Sequence, residues 1–211
     1  MNNKLISFAV VEDQQELRKS LVDWLGHAQG LRCVGSHATG EEALKHLPKE
    51  LPDVVLMDIN LPGMGGIQCV SRLKELLPET DVLMLTTYDR GEMIFDSLRA
   101  GATGYLLKNQ PLEELVQALQ EVRAGGSPMS LKIARKVIGH FQSVKKIGAE
   151  IEQLTNREQE ILQLLTHGFL YKEIADKLGV TLSTIQSHVA AVYKKLHVHT
   201  RAEATIKYSG R

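Results

Sequence analysis

Hydrophobic positions follow two different periods over roughly the first 125 residues. Short apolar runs predict strands, and the stretches after them repeat apolar residues every three or four positions, which predicts helices. The predicted strands are Ser7–Val11, Arg32–Ser36, Val54–Met57, Val82–Leu85 and Gly104–Leu107. The predicted helices are roughly Gln15–His27, Glu41–Leu47, Gly66–Leu76, Gly91–Ala100 and Leu112–Ala124. Strands that are each followed by a helix predict an α/β doubly wound five-stranded parallel sheet, flavodoxin-like, with helices on both faces.

The pattern changes after Gly125-Gly126-Ser127-Pro128, which ends the α/β part. A helical segment is predicted over Leu131–Phe141, and the polar stretch Gln142–Gln153 is interpreted as a flexible linker. From Leu154 onward the pattern is helical only. The predicted division is therefore an α/β domain over 1–126, a linker with a helical segment over 127–149, and an all-α domain over 150–211.

Composition agrees with an ordinary globular protein, since 43% of the residues are hydrophobic and 24% are charged. No apolar run approaches the roughly 20 residues that cross a bilayer, and the N-terminal apolar stretch lacks the features of a signal peptide. We therefore expect a cytoplasmic protein that does not contact a membrane. Cys33 and Cys69 are far apart without metal-type spacing, so neither a disulfide nor a zinc site is expected.

Polar side chains stand at the carboxyl ends of four of the predicted strands. Glu12 and Asp13 follow the first strand, Asp58 the third, Thr86 the fourth and Lys108 the fifth. The carboxyl ends of parallel strands meet at one edge of a doubly wound sheet, where ligands bind. A single strand-end Asp is usually a helix cap or a turn residue. The conjunction of all five positions is much harder to explain that way and predicts a site.

The residue types at this predicted site favour phosphoryl chemistry. Clustered carboxylates need a cation, and oxygen-only ligation favours Mg²⁺. A carboxylate beside such an ion can attack phosphorus and become an aspartyl phosphate. Asp58 is the predicted nucleophile because it stands alone on the central strand, and Glu12 and Asp13 would then hold the metal. The Lys108 ammonium and the Thr86 hydroxyl suit the charge on the transferred group.

These residues lie in stretches that resemble the receiver domain of two-component response regulators, over about residues 4–125. The matching stretches are Glu12-Asp13, Asp58-Ile-Asn-Leu-Pro-Gly, Leu85-Thr86 and Gly104-Tyr-Leu-Leu-Lys108. The resemblance implies that Asp58 accepts a phosphoryl group from a sensor histidine kinase. It implies that Asp13, Asp58 and the backbone carbonyl of Asn60 coordinate Mg²⁺, with Glu12 assisting. It also implies that Thr86 and Tyr105 form a switch that responds to phosphorylation.

The helical pattern after Leu154 predicts a helix-turn-helix. Thr155-x-x-Glu158 resembles a capping box that opens a helix to about His167. A short helix over about Lys172–Leu178, a turn at Gly179 and a longer helix over about Leu182–Leu196 fit the DNA-binding arrangement. The longer helix has an apolar stripe formed by Leu182, Ile185, Val189, Val192 and Leu196. Its opposite face carries small or polar side chains suited to base edges, namely Ser183, Gln186, Ser187, Ala190 and Lys194.

The same segment, over about residues 150–208, resembles the LuxR-type helix-turn-helix. The matching stretches are Leu154-Thr-x-Arg157-Glu-x-Glu160-Ile-Leu, Lys172-Glu-Ile-Ala175, Leu178-Gly-Val-Thr-x-x-Thr184-Ile, His188-Val and Lys195-Leu-x-Val-x-x-Arg201-x-Glu203-Ala. With the receiver, the chain resembles the NarL/FixJ class of response regulators. The resemblance implies binding to double-stranded promoter DNA as a homodimer when phosphorylated, with the last helix assisting dimerisation and with Gln186, Ser187 and Ala190 facing bases. The predicted DNA-contacting residues are Lys172, Ser183, Thr184, Gln186, Ser187, Ala190, Lys194 and Lys195, and Arg201 is a further candidate for a phosphate contact.

Three functions remain open at this point. The first is a transcription factor that is switched by phosphorylation of Asp58, and it is not an enzyme beyond self-phosphorylation and self-dephosphorylation. The second is a DNA-binding regulator whose receiver acts as an interaction module without phosphate. The third is a phosphatase with an aspartyl-phosphate intermediate. Asn60 argues against the third, because such an enzyme would use a second carboxylate there, and intact Glu12, Asp13, Asp58, Thr86 and Lys108 argue against the second.

Overall fold

The computed structural model of the chain describes residues 5–209, apart from the side chains of residues 143–149 and 209. Within that range the strands are β1 (Ile6–Val11), β2 (Leu31–His37), β3 (Val54–Met57), β4 (Asp81–Thr86) and β5 (Gly104–Leu107). The first five helices are α1 (Gln15–His27), α2 (Gly40–Glu50), α3 (Gly66–Leu76), α4 (Gly91–Arg99) and α5 (Leu112–Arg123). The others are α6 (Leu131–Glu152), α7 (Asn156–Thr166), α8 (Tyr171–Leu178), α9 (Leu182–Lys195) and α10 (Arg201–Ser209).

The strands of the described range form one parallel sheet in the order β2-β1-β3-β4-β5. All four residues of β3 are buried because helices cover both faces of the sheet. The chain changes direction of winding at β1 and β3, and such a point opens a crevice at the carboxyl ends of the strands. The predicted doubly wound sheet and its five strands are confirmed.

Alternate residues of β1, β3, β4 and β5 enter two separate cores, as the period of a strand requires. One face of the sheet packs against α2, α3 and α4 through residues that include Val11, Val55, Met57, Leu47, Val70 and Ile94. The other face packs against α1 and α5 through residues that include Phe8, Val10, Leu56, Leu25, Leu115 and Leu119. These two cores fix the strands from both sides and hold their carboxyl ends in register.

Helix α6 corrects the predicted linker. The chain divides into two compact units, Met1–Val137 and Ile138–Arg211, so the division falls inside α6. The segment Gln142–Gln153 is helical as far as Glu152 and is not the flexible linker that its polar composition suggested. The physical reason lies in the backbone, since residues 140–152 contain no proline and one glycine and nothing in the sequence ends the helix.

The second unit is helical, as predicted from its sequence. Thr155 and Glu158 form the predicted capping box, in which the Thr155 hydroxyl accepts from the Glu158 N–H and Glu158 Oε2 accepts from the Thr155 N–H. Helix α9 packs against both α7 and α8. Its buried residues Ile185, Val189 and Val192 belong to the predicted apolar stripe. None of the helices within residues 5–209 has both the length and the apolarity needed to cross a bilayer.

Candidate functional site

Three carboxylates meet at the carboxyl ends of two neighbouring strands. Glu12 and Asp13 follow β1, and Asp58 follows β3, which pairs with β1. One carboxylate oxygen from each residue lies within 4.8 Å of the others. Glu12 and Asp58 are buried, whereas Asp13 is exposed. The predicted convergence of these acids is therefore present, and it follows directly from the strand order.

Lys108 supplies the positive charge of this site. It follows β5, and its Nζ lies 2.6 Å from Glu12 Oε2 and 2.9 Å from Asp58 Oδ2. Burial lowers the pKa of Lys108, but its hydrogen bonds to Glu12 and Asp58 outweigh burial and raise the pKa overall. Burial also raises the pKa of Glu12, and the nearby Asp58 adds to this against the opposing effect of Lys108. One ammonium group thus bridges two buried acids.

The backbone around Asp58 is closely packed. Asp58 Oδ1 accepts a hydrogen bond of 2.7 Å from the Ile59 N–H, while its Oδ2 accepts from Lys108. A Cβ on Gly66, the first residue of α3, would lie 1.8 Å from the Asp58 carbonyl oxygen. Only glycine allows α3 to approach the strand end this closely, so Gly66 positions the loop that carries Asp58 and Asn60. Sequence reasoning did not single out Gly66.

Tyr88, in the turn after β4, contacts three predicted site residues. Its N–H donates to Thr86 Oγ1 at 3.3 Å, and its hydroxyl accepts from Asn60 Nδ2 at 2.8 Å. Its carbonyl accepts a 2.8 Å hydrogen bond from the Tyr105 hydroxyl. Thr86 and Tyr105 are both fully buried. The predicted switch pair is thus connected through a residue that the sequence analysis missed, and no strand or helix period signals Tyr88.

The Tyr105 side chain is held in its neutral form. Burial raises its pKa to about 12, with further contributions from the charges of Asp89 and Asp58. Its hydroxyl therefore keeps the proton that it donates to the Tyr88 carbonyl. This bond fixes the ring against the turn between β4 and α4.

The donor set fits Mg²⁺. Glu12, Asp13 and Asp58 offer only oxygen ligands, which Mg²⁺ prefers, and one of the three is open to water. Thr86 and Lys108 stand at the same edge of the sheet, as the strand order predicted. The arrangement suits a carboxylate that receives a phosphoryl group, since an ammonium group lies 2.9 Å from it and a hydroxyl stands at the end of the neighbouring strand.

The helix-turn-helix forms from α8, the turn at Gly179 and α9. Gly179 adopts a left-handed backbone with φ of 66°, which glycine adopts without strain. The Thr181 hydroxyl then caps α9 by accepting from the Thr184 N–H at 3.2 Å. These two local features end α8 and start α9 at the predicted positions.

The outer face of α9 is open. Its exposed side chains are Ser183, Gln186, Ser187, Ala190 and Lys194. Thr184 is half-buried and its hydroxyl bonds to that of Thr181. Ser187 Oγ donates to the Ser183 carbonyl within the helix. The face predicted to meet base edges is therefore free of the core.

Two of the predicted phosphate-contacting side chains have partners inside the protein. Lys195 Nζ lies 2.6 Å from Oε2 of the buried Glu158. Arg201 donates to the Leu165 carbonyl at 2.7 Å, which satisfies the end of α7. Lys172 and Lys194 are exposed cations, whereas Lys195 and Arg201 stabilise the fold.

Both halves of the chain match known families. Residues 8–120 match the response regulator receiver domain, and residues 152–208 match the bacterial regulatory proteins of the luxR family. The transcriptional regulatory protein LnrK of Bacillus subtilis (strain 168) is 34% identical over 215 residues, which span 98% of this chain and 97% of LnrK.

Two solved structures are similar to this chain over nearly all of its residues. The crystal structure of the response regulator ChrA, from a heme-sensing two-component system, is 28% identical with a TM-score of 0.54, covering 97% of this chain and 96% of that one. The two-component response regulator RcsB in a DNA complex has a TM-score of 0.60 over 98% of this chain and 99% of that one; at 22% identity it shows the fold alone. The chain belongs to the DNA-binding two-component response regulators that join a receiver domain to a LuxR-type helix-turn-helix, the NarL/FixJ class.

Proposed function

We propose that a sensor histidine kinase transfers a phosphoryl group to Asp58, and that this transfer controls binding of the chain to promoter DNA. The observation that carries the proposal is the position of the Asp58 carboxylate. It is buried, it lies 2.9 Å from the Lys108 ammonium, and it shares its pocket with Glu12 and Asp13. Such a carboxylate has both a charge partner and acidic neighbours that can hold a cation.

The transfer exchanges one bond to phosphorus for another. A carboxylate oxygen of Asp58 attacks the phosphorus, and the bond from phosphorus to the kinase histidine nitrogen breaks. Lys108 stabilises the charge on the phosphoryl oxygens, and the Thr86 hydroxyl can donate to one of them. Asp13, Asp58 and the Asn60 carbonyl, with Glu12 assisting, would hold Mg²⁺, which supplies further positive charge there. In this proposal the chain accepts the phosphoryl group and is not an enzyme, beyond its own self-phosphorylation and self-dephosphorylation.

The second unit supplies the DNA contacts. Gln186, Ser187 and Ala190 on the exposed face of α9 would meet base edges, with Ser183 and Thr184 near the start of the same helix. Lys172 and Lys194 would contact phosphates, which adds affinity without sequence preference. Lys195 is proposed as a weaker contact because it already pairs with Glu158.

Dimerisation is the proposed consequence of phosphorylation. A helix-turn-helix dimer reads two half-sites, and its pairing sets their spacing. Ile206 on α10 is 73% exposed, and α10 is the helix that the family resemblance links to dimerisation. The family resemblance, rather than the exposure of this one apolar side chain, is the reason for placing contact with a second copy of the chain there.

Treatment of the full-length chain with acetyl phosphate and Mg²⁺ tests the phosphorylation step. Intact mass should show one added, acid-labile phosphoryl group on the wild type and none on Asp58→Asn. The exposed α1 variant Asp23→Asn keeps the site intact and should be modified like the wild type. Chelation of the divalent cation should abolish the modification in the wild type and in Asp23→Asn.

Two results would count against the proposal. A wild type that gains no acid-labile group under these conditions would remove the switch. A wild type that is modified, but whose DNA affinity and oligomeric state do not change, would instead favour a receiver that acts as an interaction module without phosphate.

A further inference from the structure

The first two turns of α6 pack on the α/β unit. Ile133 is fully buried in the core on the α2–α3–α4 face of the sheet, and Val137 packs against the same core. Just before α6, the Tyr105 N–H donates to the Pro128 carbonyl at 3.0 Å, and Met129 forms a parallel bridge with Tyr105. The start of α6 is therefore held beside β5 and its buried tyrosine.

Charged contacts join the same part of α6 to the turn between β4 and α4. Lys132 Nζ donates to Asp89 Oδ2. Lys136, one helical turn later, places its Nζ 3.5 Å from the same oxygen and also donates to the Asp89 carbonyl. The hydrogen bond from Lys132 and the charges of both lysines lower the pKa of Asp89. We refer to Asp89, Lys132 and Lys136 as the Asp89 cluster.

Asp89 directly follows Tyr88, the residue that contacts the acidic site. Tyr88 bonds to Thr86 through its N–H, to Asn60 through its hydroxyl and to Tyr105 through its carbonyl. One dipeptide therefore bonds on one side to residues around Asp58 and on the other side to α6. A change in the position of the Tyr88 carbonyl moves the Asp89 N–H and Cα with it, because these atoms lie in one planar peptide unit.

We propose that the Asp89 cluster fixes the start of α6 to the β4–α4 turn, and that phosphorylation of Asp58 weakens this attachment. The second part rests on the function proposed above. The Thr86 hydroxyl now accepts from the Tyr88 N–H at 3.3 Å, a long neutral hydrogen bond. A phosphoryl group on Asp58 would offer this hydroxyl a charged acceptor, and charge-assisted hydrogen bonds are about twice as strong as neutral ones. To donate its proton to that acceptor, the Thr86 hydroxyl would move toward Asp58 and away from the Tyr88 N–H, so Tyr88 would lose this bond and its turn would shift.

A weaker attachment would affect a helix that has residues in both units. Helix α6 runs without interruption from Leu131 to Glu152, where Ile151 joins the core of the second unit. Loss of the Asp89 contacts would leave the apolar contacts of Ile133 and Val137 as the described attachment of the first two turns, which would then open more often. The Asp89 cluster is thus a means by which the acidic site can act on α6.

Hydrogen exchange of the full-length chain tests this proposal. Exchange of the α6 amides over residues 134–139 is measured with and without acetyl phosphate and Mg²⁺, and intact mass of the same samples reports phosphorylation. The variants are Asp89→Asn and the double variant Lys132→Gln with Lys136→Gln. The matched control is Arg135→Gln, which removes an exposed cation of the same helix.

Without the phosphodonor, Asp89→Asn and the lysine double variant should exchange about three to five times faster than wild type, the size expected for exposed ion pairs. Arg135→Gln should match wild type. Phosphorylated wild type should show a similar acceleration, and phosphorylation should add little to Asp89→Asn. Variants that behave like Arg135→Gln, or phosphorylated wild type with unchanged exchange, would overturn the proposal.

The two proposals can fail separately. If intact mass shows no phosphoryl group on the wild type, the proposed phosphorylation fails. The comparison of unmodified Asp89→Asn with Arg135→Gln then still decides whether the Asp89 cluster holds α6.

Discussion

Lys194 and Lys195 are neighbours on α9, but their side chains have different surroundings. Lys195 pairs with Glu158, which is only 5% exposed, whereas Lys194 is exposed. Removal of Lys195 leaves a buried carboxylate without its cation, which costs more than the pair itself contributes. We expect Lys195→Gln to lower the free energy of unfolding by about 1–3 kcal/mol in urea denaturation. Lys194→Gln should change it by less than about 0.5 kcal/mol, and equal effects would contradict the assignment.

Acid should remove the stabilisation that the pair of Lys195 and Glu158 provides. Burial raises the pKa of Glu158, but the hydrogen bonds from Lys195 and Thr155 outweigh burial, so the pKa lies below its ordinary value of 4.5. A carboxyl whose pKa is lowered on folding stabilises the folded state above its unfolded pKa and loses that contribution as the pH falls through the folded pKa. The stability difference between wild type and Lys195→Gln should thus be constant near neutral pH and shrink below pH 4.5. Thermal unfolding at a series of pH values measures it.

At the scale of single elements, the end of α2 carries backbone strain. Leu51 ends the helix with φ of 47°, in the left-handed region, while its N–H donates to the Leu47 carbonyl. A non-glycine residue in this backbone conformation destabilises the folded state by roughly 1–2 kcal/mol. Replacement by glycine removes that cost, but the greater conformational freedom of glycine in the unfolded chain offsets about 0.5–1 kcal/mol of the gain. Leu51 is 64% exposed, so its removal loses little apolar burial. Leu51→Gly should therefore raise the free energy of unfolding by about 0.5–1 kcal/mol in urea.

Leu51→Ala is the matched control for this change. Alanine keeps the Cβ that makes the left-handed backbone unfavourable, so this variant should not gain stability. An alanine variant as stable as the glycine variant would show that backbone strain at Leu51 is not the cause.

Hydrophobic periodicity was sufficient for the strands and for the acidic site. The run Val54–Met57 is buried on both faces, so its apolar residues mark the central strand directly. Asp58 then lies at the strand end by sequence alone, and the parallel order brings Glu12, Asp13 and Lys108 to the same edge. Local pattern determines this site because each residue is adjacent to a predictable element.

Contacts between residues that are far apart in the sequence could not be predicted in this way. Tyr88 bonds to Asn60, 28 residues away, and Lys132 bonds to Asp89, 43 residues away. Lys195 and Glu158 are 37 residues apart. None of these pairs follows from a helix or strand period, because a period orders residues within one element only. Only the second half of α6 was missed, because its polar composition was given more weight than Phe141, Val144, Ile147 and Ile151, which recur every three or four positions as in a helix.

At the scale of the whole molecule, the number of side chains proposed to contact bases limits what one copy of the chain could recognise. The exposed face of α9 offers a few small or polar side chains, and a single recognition helix contacts few base pairs. Each mismatched base pair costs only about 1–3 kcal/mol, so one half-site gives modest discrimination. In the proposed dimer, a second copy of the chain on a second half-site would supply the remainder. Recognition of a promoter is therefore expected to depend on the oligomeric state.

Selection of bound fragments from random DNA tests this expectation. The full-length chain with acetyl phosphate and Mg²⁺ should enrich two related half-sites whose centres lie about 10 base pairs, or roughly 34 Å, apart. Asp58→Asn should enrich them weakly under the same conditions, and Asp23→Asn should behave like the wild type. Insertion of about five base pairs between the half-sites puts them on opposite faces of the duplex and should lower affinity at least about tenfold. Enrichment of one unrepeated motif, or tolerance of that insertion, would show that a single copy reads the DNA.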